Sequence, residues 1–146
     1  MVQANFPWFQ KGARRFEAAM NGIPDRVPMC AQLHEFAMNE IGATAKEFYT
    51  NVQLLVTGTL EIQQKYGIDV PVLDYDVYNI EAEAIGQEMK YSETDMPDVD
   101  RTHPLVRDRD DLKKIRTPDF DTQGRFAHVI EMNKLFRKLI GGETEV

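Results

Sequence analysis

Apolar residues near the start of the chain recur at helical spacing. Trp8, Phe9, Ala13, Phe16, Ala19 and Met20 are interleaved with Lys11, Arg14, Arg15 and Glu17, which predicts an amphipathic helix over Trp8–Met20. Asn21-Gly22 stops it, and Pro24 keeps it from resuming. Arg26 to Leu33 reads as a short apolar strand with Pro28 near its start, because proline donates nothing to a ladder. A helix follows from about His34 to Ile41 and ends at Gly42. Another opens at Thr44, with Glu47 three residues on in the capping-box arrangement. Leu54, Leu55, Gly58, Ile62 and Tyr66 define the clearest helix, Asn51 to Tyr66, which Gly67 closes. Ile68 to Asp76 is a second strand with acids at its carboxyl end. A short helix is predicted from Ile80 to Ile85, and an extended or hairpin excursion over the acidic, aperiodic text from Gln87 to Arg107. Arg109 to Ile115 makes one or two helical turns. The last helix, Gly124 to Ile140, carries Phe126, Val129, Ile130, Leu135, Phe136 and Leu139 on its apolar positions. Glu143 to Val146 looks like the approach to a further strand.

Alternating strand and helix predict an α/β arrangement with a mainly parallel sheet. Two strands cannot close a barrel, so hydrophobic surface is expected to be left for further chain or a partner to cover. Composition fits this picture: 146 residues suit one domain, and 42% hydrophobic with 10% aromatic residues can build a core. Seventeen basic against 24 acidic side chains leave a net charge of −7, which argues against nucleic acid as a partner. The single cysteine excludes an internal disulfide or a Cys-rich zinc module within this chain. No apolar run approaches the roughly 18–20 residues of a membrane span. The N-terminus lacks the pattern of a signal peptide, and the expectation is a cytoplasmic protein. Met20, Met29 and Met38 are expected to face the core, and Cys30 to be a buried structural thiol.

Chemistry is expected at the ends of the two strands, where α/β folds gather their ligands. At the second, Asp74 and Asp76 alternate with Tyr75 and so share a face. Paired carboxylates can hold a proton, orient a cation or bind a polar substrate; equally, they can cap the helix near Ile80. Asn79 follows in the same segment. At the first strand, Gln32-Leu33-His34-Glu35 offers His34 as a general base, a metal ligand or an ordinary polar residue. The three histidines and Cys30 have no metal-ligand spacing among them, and there is no phosphate-binding glycine loop or nucleophile elbow. His103 is expected at the surface.

Several motifs occur in a recognisable order. Arg15-Phe16-Glu17-Ala18-Ala19-Met20-Asn21-Gly22-Ile23-Pro24-Asp25-Arg26-Val27-Pro28 resembles the opening of the uroporphyrinogen decarboxylase superfamily, a helix, a glycine turn and a D-R-V-P step. Tyr66-Gly67-Ile68-Asp69 with Asp74-Tyr75-Asp76 is similar to its second-strand segment, and Glu81 to Gly86 to the A-E-A-x-G piece that follows. Asp110 to Ile115 and Gly124-Arg125-Phe126 through Gly141-Gly142 match its later helical stretch. The resemblance implies a (β/α)8 TIM barrel, of which residues 1–146 would be an incomplete N-terminal part, helix-rich and with about two barrel strands.

Two chemistries follow from the resemblance. Decarboxylases carry M-R-Q-A-G-R just after the first strand, where the guanidinium groups would grip acidic porphyrinogen side chains. Here that place reads Cys30-Ala31-Gln32-Leu33-His34-Glu35, and both arginines are missing. The strand-end aspartate of decarboxylases resembles Asp76, with one residue more than usual before Gly86, so Asp74 stands as a second match. The other branch comprises corrinoid-dependent methyltransferases, which the Glu81–Gly86 run resembles more. These move a methyl group between a small methylated compound or coenzyme and the cobalt of a corrinoid protein, several with a zinc ion whose His and Cys ligands lie later in the barrel. The resemblance thus implies a demethylating methyltransferase with a corrinoid protein as partner, zinc ligands outside this chain, Asp76 and Asp74 as catalytic acids, and His34, Asn79 and Gln32 on the substrate. A decarboxylase-like lyase, or a non-catalytic fragment completed by a complementary chain, is the alternative.

Overall fold

Sequence patterning accounts for the helices of the computed structural model, which describes residues 6–76 and 79–140. Val77, Tyr78 and the strand approach at Glu143–Val146 lie outside the described residues. Helix α1 (Trp8–Met20) buries Phe9 and Gly12. Gly12 is required there: a Cβ would stand 1.8 Å from the Asp69 carbonyl oxygen, so only glycine lets the helix backbone approach the second extended segment this closely. Helix α2 (His34–Glu40) and helix α3 (Ala45–Thr50) follow, α3 opened by the reciprocal Thr44–Glu47 capping box. Helix α4 (Val52–Lys65) is capped by the Asn51 side chain, which accepts from the Leu54 N–H at 3.0 Å.

Helix α4 is the central element. It buries Leu55, Val56, Leu60 and Ile62, with α2 and α3 on one side and α6 (Phe126–Ile140) contributing Met132 and Leu139 from another. Gln63, also on α4, is fully buried. Its amide donates to the Val72 carbonyl at 2.6 Å and accepts from the Val72 N–H at 3.2 Å. A helix side chain thereby satisfies both backbone groups of an extended residue.

The two predicted barrel strands are extended parallel segments joined by one bridge, Cys30 to Val70. The Met29 carbonyl accepts from Asp69 N–H at 2.9 Å and Val70 N–H at 3.0 Å. Pro28 and Pro71 flank the bridge and remove donors, which keeps the ladder short. Regular strands appear instead in the acidic excursion, where β1 (Met89–Lys90) pairs antiparallel with β2 (Asp98–Val99). Helix α5 (Asn79–Ala84) precedes this hairpin, and a 3-10 turn (Asp111–Lys114) separates it from α6.

The first segment is open on its far side, and this overturns two expectations. Cys30 is exposed rather than buried. Of the three methionines, only Met38 enters the core; Met20 is 75% exposed and Met29 half-exposed. The cause is shared: Phe9 and Gly12 are the buried residues of α1, and its last turn, Ile23 and Val27 have no cover among the described residues.

At the start of the second segment, Asp69 is 1% exposed and tied on every side. Arg15 and Arg26 pair with it, the latter at 2.6 Å, and the Met29 N–H donates to it at 2.9 Å. Arg15 also holds Asp25 at 2.8 and 2.9 Å. The Asp25-Arg26-Val27-Pro28 step is thus fastened to both α1 and the second segment.

Candidate functional site

Five residues further along, the second segment ends in buried acids. Asp74 is 4% exposed and accepts the Leu33 N–H at 2.8 Å, with His34 and Gln32 beside it. Burial pushes its carboxyl above the ordinary range, and the Leu33 N–H with these neighbours offsets only part of the rise. Asp76 is fully buried and receives both arms of Arg125, at 2.8 and 2.9 Å. Burial raises Asp76 too, Arg125 pulls it down, and Glu83 adds to the rise; the balance is upward. Arg125 stands just before α6 and is itself buried, with a further bond to Glu83 and the Tyr91 ring 5.9 Å away. Burial would lower the guanidinium, but Asp76 and Glu83 together hold it above its ordinary value, so it stays charged.

Tyr49 of α3 belongs to the same region. Its side chain is buried against Phe48, and its hydroxyl has no hydrogen-bond partner among the described residues. Burial first, then the negative charges of Glu35, Asp76 and Asp74, push the phenol far above its usual range. His34 is the one non-glycine residue among the described residues with a positive φ, +38°, and its buried Nδ1 also lacks a partner.

The structure therefore divides the residues that sequence pointed to. Gln32, His34 and Asp74 come together, with Gln32 exposed and His34 half-buried above the buried carboxylate. Asp76 sits with Arg125 and Glu83. Asn79 donates to the Pro97 carbonyl at 2.7 Å, which ties α5 to the hairpin. It lines a cleft of about 540 Å³ with Glu35, Asp95 and Asp98. Sequence reasoning missed Arg125 and Tyr49 as members of the site. Arg125 lies 49 residues from Asp76, beyond any local spacing rule.

The described residues do not fit a His and Cys zinc site. The one cluster of potential ligand atoms containing a histidine is Glu88, Asp100 and His103, on an exposed turn and without sulfur, and His103 Nδ1 lies 3.0 Å from Asp100. Cys30 is remote from it in the sequence and exposed.

Comparison with known proteins places the chain in a family. The sequence model of the family Uroporphyrinogen decarboxylase (URO-D) matches residues 11–146. The chain belongs to that family. A solved structure, a methyltransferase from Methanosarcina mazei, superposes with a TM-score of 0.67 at 27% identity. It covers 92% of this chain, while this chain spans 40% of its length. No curated protein sequence matches. The fold is accordingly α/β, a helix-rich N-terminal portion of a (β/α)8 barrel whose two barrel strands are the extended segments bridged at Cys30 and Val70.

Proposed function

We propose that the chain is the N-terminal part of a methyltransferase that moves a methyl group between a small methylated substrate or coenzyme and the cobalt of a corrinoid protein. The observation that carries this reading is the likeness to the Methanosarcina methyltransferase over nearly the whole chain. The charge distribution supports it. A porphyrinogen would need free cations for its carboxylates, yet Arg125 is committed to Asp76 and Glu83, and Ala31 and Glu35 carry no positive charge. The small substrate would meet Gln32 and His34, with Asp74 beneath them. Asp76, held by Arg125, would keep the barrel mouth in shape. Asn79 would border the entrance.

The reading puts the rest of the barrel, and with it any zinc ligands, in further sequence or a complementary chain. A cytoplasmic setting is part of the reading, since it would keep the lone thiol reduced. Among the described residues, no helix is long and apolar enough to cross a membrane.

The test is methyl transfer by the assembled barrel from small methylated donors to cob(I)alamin, followed by the corrinoid absorbance change. Transfer is expected. Decarboxylation of uroporphyrinogen without methyl transfer would give the lyase alternative the better claim.

A further inference from the structure

His34 combines two features that each carry a cost. Its φ of +38° lies in the left-handed region, which costs any residue with a Cβ and which glycine enters freely. Its Nδ1 is buried without a hydrogen bond among the described residues, a second cost. Neither is offset by a contact of the ring nitrogen with the rest of the described chain. The turn around it is nonetheless held firmly. Asp74, 4% exposed, accepts the Leu33 N–H at 2.8 Å, so a buried carboxylate fixes the backbone of the residue directly before His34. Strain kept by well-determined surroundings at a strand end is the pattern of a functional position.

We propose that His34 is the residue that contacts the small substrate, and that Asp74 is its positioning residue, fixing the strained Gln32–His34 turn so that the imidazole stays beside the strand ends. The proposal rests on the methyl-transfer reading and deepens it. Through Nε2, its Nδ1 edge being buried, the ring would hydrogen-bond the heteroatom that bears the methyl group. Asp74 acts through the backbone of the turn and makes no contact of its own with the substrate.

The experiment uses His34→Gly, Asp74→Asn and the double variant in the assembled protein, each followed by thermal melting and by methyl transfer to cob(I)alamin. His34→Gly is expected to melt at the same temperature or higher, because glycine relieves the turn, and to lose kcat/KM by on the order of 100-fold. Asp74→Asn is expected to lose activity when His34 is present, and to cause no further loss when His34→Gly has already been made. A lower melting temperature for His34→Gly would show that the imidazole serves packing and would overturn the proposal. So would wild-type activity in that variant, or losses that multiply in the double variant. If the wild type transfers no methyl group, the functional reading falls on its own, and the melting comparison still decides whether His34 is held under strain.

Discussion

The two ends of the second barrel segment carry the same residue type in opposite circumstances. At its start, Asp69 is 1% exposed, yet two arginines and a backbone N–H outweigh the burial and hold its carboxyl below the ordinary range. At its end, Asp74 and Asp76 are pushed up, because burial exceeds what their donors return. One end is a fully compensated joint between α1, the Asp25–Pro28 step and the segment. The other retains polar groups whose needs the described chain does not meet, among them the Tyr49 hydroxyl and His34 Nδ1. Barrels place stability at the amino ends of their strands and chemistry at the carboxyl ends, and the electrostatics here divide along the same line.

The largest effect that would sharpen this contrast is at Arg125. Arg125→Ala leaves Asp76 buried beside Glu83 with no cation, and should cost about 3–5 kcal/mol in urea unfolding. Arg26→Ala at the other end should cost at most about 1 kcal/mol, because Arg26 is partly exposed and Arg15 remains on Asp69. Equal costs would break the comparison.

The smallest effect is in the pH dependence. Asp69 is lowered on folding, so its contribution is present above the ordinary carboxylate value and is lost as the pH falls through the folded one. Asp25, which Arg15 holds down to about 2, behaves alike. Asp74 is raised, so its contribution grows as the pH falls from above its folded value toward the ordinary one. Urea midpoints across the acidic range should therefore flatten below the ordinary carboxylate value in Asp69→Asn. In Asp74→Asn they should flatten above it. The reverse assignment of slopes would show that the two ends have been misread.

Local signals carried most of the fold. The Thr44–Glu47 box, the Asn51 cap and the apolar spacing of α1 and α4 each depend on residues within a few positions, and each of these helices begins within a residue or two of where those signals put it. Periodicity misplaces Cys30 and Met20, because burial depends on what lies across from a residue and spacing cannot supply the neighbour. The acids at the end of the second segment could be seen in the sequence as a pair. Their division could not: the Arg125 partnership spans 49 residues, and the strained φ of His34 leaves no trace in composition.

The paired hydrogen bonds from Gln63 to Val72 also govern which acids reach the site. Side chains along an extended segment alternate between two faces, so a slip of one residue would send Leu73 and Tyr75 to the positions of Asp74 and Asp76. With only one bridge to its neighbour, the second segment has little ladder to fix its register. The amide on α4 supplies that register from outside the sheet, and in doing so decides that carboxylates rather than a leucine and a tyrosine meet Arg125 and the His34 turn.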